Sequence, residues 1–93
     1  MKPILYFVVE VEDGFLNDSD NDIPNEIIID AVYSAKAILP RTPISPTTTS
    51  FFFNNDSGGF HCLAIEIEGC CVAYSIRDEK IRILAVKNKP RGF

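Results

Sequence analysis

The chain has a single histidine, only three cysteines and no long apolar run, and each shortage removes a class of function. Crossing a bilayer takes roughly 18 consecutive apolar residues. The apolar stretch at 3–9 stops at Glu10, Glu12 and Asp13, with no small-residue cleavage site of the signal-peptide kind. The expected location is the cytoplasm, with no membrane association. An odd cysteine count with Cys70 and Cys71 adjacent does not make a secreted disulfide framework. Zinc wants four nitrogen or sulfur ligands, and His61 and Cys62, neighbours on a strand, point to opposite faces. No Ser/His/Asp or Cys/His set stands at recognisable spacing, and Gly58-Gly59 is too short to cradle a phosphate. The residues therefore name no catalytic set, no metal and no cofactor.

What is present is enough for a core. With 93 residues and a hydrophobic fraction of 46%, the chain reads as one small domain, 1–93. A domain of this size buries roughly 60–65% of its unfolded surface, so a protein partner or a homodimer would add needed stability. The net charge of −4 argues against non-specific nucleic-acid binding. The charge is also lopsided. Eight of the thirteen acids precede residue 31 and are matched there by Lys2 alone, whereas six of the nine bases fall within 77–91.

Residues 4–11 are a β-rich run that becomes alternating at Val9-Glu10-Val11-Glu12, which reads as a strand with a buried centre, ended by the turn pair Asp13-Gly14. Residues 13–22 form an acidic surface loop. A helix of about sixteen residues follows, with Asp22 as its cap, Pro24 in its first turn and Glu26 near the positive end of its dipole. Ile28, Ala31, Val32, Ala35, Ile38 and Leu39 make one apolar stripe, and Pro40 ends it by pushing Leu39 out of the helical region. Pro40, Pro43 and Pro46 then mark residues 40–50 as an extended, polyproline-like connector. Residues 47–53 turn β-prone, and 54–59 read as a turn.

From 60 to 87 the pattern is a three-stranded antiparallel meander. Two-residue turns at Glu68-Gly69 and Asp78-Glu79 pair Ile67 with Cys70, Ile65 with Val72, Leu63 with Tyr74, Ile76 with Ile81, Tyr74 with Ile83 and Val72 with Ala85. All of these fall on one apolar face, which the helix stripe is expected to cover. The fold class expected is thus α+β, with an N-terminal strand, one main helix and then the meander.

Two charged sets are candidate binding residues. Arg77, Lys80, Arg82, Lys87, Lys89 and Arg91 form a basic face and tail suited to phosphates or to an acidic partner. Asp18, Asp20 and Asp22 lie in the acidic loop. Their alternation is that of a calcium loop's start, but Ile23 stands where the loop needs glycine and Ile29 where it needs a bidentate glutamate. A solvated acidic loop accounts for them equally well.

The segment Gly69-Cys70-Cys71-Val72-Ala73-Tyr74-Ser75-Ile76, the turn Arg77-Asp78-Glu79-Lys80, the strand Ile81-Arg82-Ile83-Leu84-Ala85-Val86 and the basic tail ending Arg91-Gly92-Phe93 together resemble the end of RelE/ParE-like toxins. The resemblance covers residues 60–93 and extends to topology: an N-terminal strand, helical structure and a meander. It implies a toxin that binds a macromolecular target and is neutralised by an antitoxin. The family usually has two helices after its first strand, where one is evident here. Its ribonucleases are basic and carry a tyrosine or histidine in the tail. Here the chain is acidic and ends in Phe93, which has no proton to transfer. The resemblance therefore implies a ParE-like or non-catalytic member, with protein favoured over nucleic acid as target. The competing expectation is a small acidic inhibitor, of the immunity or anti-defence type, whose Asp18, Asp20 and Asp22 mask a basic surface on another protein.

Overall fold

The structure, a computed structural model, describes residues 7–55 and 58–89. It is an α+β arrangement of one main helix and a mixed five-stranded sheet. The strands are β1 (Val8–Val11), β2 (Thr49–Asn55), β3 (Gly58–Ile67), β4 (Cys70–Arg77) and β5 (Lys80–Asn88). The helices are α1 (Phe15–Asp18) and α2 (Asn25–Ile38). Strand order across the sheet is β1-β5-β4-β3-β2, with β1 parallel to β5 and every other pair antiparallel. Beyond the expected N-terminal strand and three-stranded meander the sheet has one more strand: residues 47–53 read as β-prone and 54–59 as a turn, whereas Thr49–Asn55 form β2 and β3 already begins at Gly58.

Backbone sterics set the tight turns. Glu68 and Gly69 (φ 55° and 77°) and Asp78 and Glu79 (φ 52° and 63°) all sit in the left-handed region that two-residue hairpins demand. Gly69 adopts it without cost, whereas Asp78 and Glu79 carry β-carbons into it. Between the turns, Leu63 faces Tyr74, Ile65 faces Val72, Ile67 faces Cys70, Tyr74 faces Ile83 and Ile76 faces Ile81. The pairing of Val72 is different from that expected. A register shift at Ala73/Tyr74 sets Val72 opposite Val86 and Ala73 opposite Ala85. One extra residue on β5, a bulge, exchanges which side chains face which way. Val86 therefore joins the helix-side core, while Ala85 packs with Cys62, Ala73 and Leu84 in a second buried cluster.

The main core is a helix-side layer. Ile28, Ala31, Val32, Ala35 and Leu39 are buried with Ile65, Ile67, Val72, Tyr74, Ile81, Ile83 and Val86, and Val9 and Val11 of β1 pack at its margin. Each large aliphatic side chain fully buried there contributes about 1.5–3 kcal/mol of transfer free energy. Tyr74 lies wholly inside, and its hydroxyl donates to the Pro43 carbonyl at 2.6 Å, tying the segment after α2 to the core. That segment is turned rather than extended. Thr42 N–H donates to the Ile38 carbonyl, Thr48 N–H donates to the Ser45 carbonyl, and the Thr48 hydroxyl accepts from Ser45 N–H. α2 is fourteen residues long, two fewer than expected, because Pro24 rather than Asp22 stands at its N-cap. Leu39 stays in the right-handed region despite the proline that follows it. No helix among the described residues is long and apolar enough to cross a membrane.

Candidate protein-binding surface

The basic residues of β4 and β5 do not stand alone. β1 lies parallel against β5, with Glu10 opposite Arg82. Alternation places Glu10 and Arg82 together on the sheet face away from α2. The Arg82 guanidinium lies 3.2 Å from Glu12 and 3.8 Å from Glu10, and the Lys80 ammonium is 4.0 Å from Glu10. Arg77 pairs at 4.0 Å with Asp78, both side chains 92% exposed. At the far end of the sheet, Lys87 meets Asp20 at 3.4 Å and Lys89 meets Glu66 at 3.2 Å. Every described member of the expected basic set therefore has an acid of the same chain within 4.0 Å. Arg91 lies outside the described residues. Exposed pairs of this sort contribute at most about 1 kcal/mol each to stability. Their larger effect is on the field, which alternates in sign instead of being positive.

Arg82 separates two shallow concavities. One, of about 340 Å³, is lined by Ser75, Arg77, Asp78, Lys80 and Arg82. The other, of about 330 Å³, is lined by Glu10, Val11, Glu12, Asp13 and Arg82. The result is a strip, cationic toward the β4–β5 turn and anionic along β1. Its residues can accept and donate charge-assisted hydrogen bonds. They offer a rigid two-sign pattern for recognition.

The acidic loop departs most from expectation. Its first part is the helix α1, and its second part docks on β5. The Ser19 hydroxyl is buried, donating to the Phe15 carbonyl and accepting from Val86 N–H at 2.9 Å. Asp20 N–H donates to the Val86 carbonyl, and the Asp20 carboxylate accepts from Asn88 N–H at 2.6 Å. Asp22 accepts from the Asn88 side-chain amide at 2.9 Å, the contact that takes it away from capping α2. So Asp20 and Asp22 fasten the end of β5, and Asp18 does not join them in a cation site. Among the described residues no group of three or more histidine, cysteine or acidic side chains could hold a metal ion.

His61 lies on β3, facing Phe52 of β2 in an edge-on ring contact with centroids 5.2 Å apart. Cys62, Cys70 and Cys71 are free and buried, and burial pushes the Cys62 and Cys71 thiols up to about 11. Ser19, the one buried polar residue among those described, had no signal in the sequence beyond membership of a polar stretch.

Comparison of the chain with family models, with curated proteins and with solved structures returned no match.

Proposed function

We propose that this chain is a cytoplasmic toxin–antitoxin protein of the RelE/ParE-like kind that acts by binding a protein target, without a ribonuclease step, through the two-sign strip around Arg82. The observation that carries this reading is the pairing of Arg77, Lys80, Arg82, Lys87 and Lys89 with acids of the same chain. A phosphate-reading surface gains its affinity by releasing counterions from unopposed cations, and opposed ones release few. Alternating charges instead favour a polypeptide surface of complementary pattern, and they give specificity and association rate more than raw affinity. The order of elements, an N-terminal strand, helical structure and then antiparallel strands, is the order that the resemblance implies. Expression in bacteria with a tagged chain tests it. Growth arrest relieved by charge reversal at Arg77 and Arg82, together with capture of a protein target, is the expected result. Normal growth with no captured protein would overturn the reading.

The inhibitor reading keeps one specific support, which lies away from Asp18, Asp20 and Asp22. Glu26, Ile29, Asp30 and Tyr33 are exposed at helical spacing on α2, so acids and apolar groups share one outer face. A basic, apolar-rimmed target would match it. Glu26→Lys with Asp30→Lys should then abolish capture of the target while leaving a purely strip-mediated interaction intact.

A further inference from the structure

The two edge strands of the sheet differ: β1 has four residues and carries Glu10, whereas β2 is longer and uncharged. No described strand lies beyond it, so alternate residues direct N–H and C=O groups away from β3. Edge strands are normally short, charged, bulged or broken by proline, because a bare edge templates pairing with another chain. β2 has seven residues, with no charge, proline or glycine among Thr49, Ser50, Phe51, Phe52, Phe53, Asn54 and Asn55. It closes the longest uncharged stretch of the chain, 42–55.

The geometry points to a second copy of this chain as the occupant of that edge, paired antiparallel about a two-fold axis through Phe52, so that two five-stranded sheets join into one. Three observations favour a copy over a foreign strand. First, a chain of net charge −4 ordinarily repels itself, and here the repelling groups are absent from the edge that would meet. Second, the strand is self-complementary in that register. Residue 52 faces its own equivalent, and 49, 50 and 51 face 55, 54 and 53, so an uncharged residue meets an uncharged residue at every step. Third, Phe52 sits at the centre of the strand, 53% exposed, with His61 against one side of its ring. The two-fold axis brings a second Phe52 to the other side and makes a row of four rings across the joint.

Sedimentation velocity on the full chain over a wide concentration range should show a reversible monomer–dimer equilibrium. Phe52→Lys, which sets two ammonium groups face to face on the axis, should weaken it by about ten-fold or more. Val8→Lys, an equally exposed position on the opposite edge, should leave it unchanged. The register has its own test, independent of whether Phe52→Lys folds. Directly opposed residues in an antiparallel pair have Cα atoms about 4.5 or 5.5 Å apart, within disulfide reach. Phe52→Cys should therefore cross-link to its own equivalent under mild oxidation, and Ser50→Cys should not. A chain that stays monomeric at every concentration, a dimer lost on Val8→Lys, or cross-linking as fast through Ser50→Cys would overturn the proposal. The first of these outcomes would leave the edge to a strand of another protein.

Discussion

β1 and β2 are the two edge strands of the same sheet, yet one is short and charged, with a loop docked beside it on β5, and the other is long and uncharged. β1 has four residues, carries Glu10 against Arg82, and is followed by a loop that returns to β5 through Ser19, Asp20 and Asp22. β2 is longer, uncharged, and has no described element beyond it. Edge strands of one sheet can thus differ in how they are guarded, one by brevity and charge and the other by neither. Glu10, Glu12, Asp20 and Asp22, four of the eight acids in the first thirty residues, meet partners on β5 of the same chain. β2 has no charged residue with which to do the same.

The largest effect expected is common to both edges, because it acts on the strands between them. Cys62 and Cys71 are raised from the ordinary 9.0 to about 11 by burial, and Tyr74 is raised by burial against an opposing hydrogen bond from Thr48. The folded state favours the protonated form of each, so the contribution of the two thiols is complete below pH 9 and is lost as the pH rises through about 11. Far-UV circular dichroism in denaturant should therefore show stability falling steeply across that window. The same thiols should resist alkylation at neutral pH until the chain unfolds, because the thiolate is the reactive form. Stability that stays flat through the window would mean the sheet interior is open to water.

Ser19→Ala comes next and acts where the loop docks on β5. It leaves the Val86 N–H, in a buried position, without its acceptor, and an unsatisfied buried donor costs about 1–3 kcal/mol. Asp20→Ala removes the acceptor of the more exposed Asn88 N–H and the partner of Lys87, for which about 1 kcal/mol is expected. Urea titrations of the two variants check both size and order. If Ser19→Ala proves neutral, β5 does not depend on the loop and the contrast between the edges collapses.

Much of this molecule was legible in its residues, and the failures share a cause. The Leu63/Tyr74, Ile65/Val72 and Ile76/Ile81 pairings follow from local alternation and turn chemistry, which are written within a few residues of each other. The stripe of Ile28, Ala31, Val32, Ala35 and Leu39 is equally local, although Ile38, read as part of it, is exposed. Val72 opposite Val86 was not legible, because a bulge is one residue's departure from a period and leaves no mark in the period itself. Nor was the docking of Ser19 on Val86, a contact 67 residues apart in sequence between a polar side chain and a backbone group that every residue carries. For the candidate surface, the positions of Arg77, Lys80 and Arg82 could be read from strand parity. Their neutralisation could not, since it needed the parallel pairing of β1 with β5, and parallel neighbours carry no turn to announce them.

A smaller effect, of opposite sign, is expected at the turn that joins β4 to β5 beside the strip. Glu79 holds φ 63° with a β-carbon that glycine would lack, so Glu79→Gly should stabilise the chain by roughly 0.5–1 kcal/mol. Measuring target capture on the same variant asks whether the strained turn serves binding. Tighter folding with unchanged capture would place the recognition on Arg77, Lys80 and Arg82 alone.

The smallest effect should be the most informative about the edges. Phe52 is exposed on β2, with the His61 ring edge-on against it. Threonine, which is β-branched, favours strands as phenylalanine does while removing the ring, so the backbone of β2 loses little by the exchange. Phe52→Thr should accordingly change the unfolding free energy of the dilute chain by no more than about 0.5 kcal/mol, against the larger cost of Ser19→Ala. At high concentration the comparison should reverse. The wild-type midpoint should rise with protein concentration, because self-association adds to folding stability by mass action, and the Phe52→Thr midpoint should rise less. A cost above about 1 kcal/mol in the dilute chain would instead assign Phe52 to the fold, and β2 would then be an edge closed by its own side chains after all.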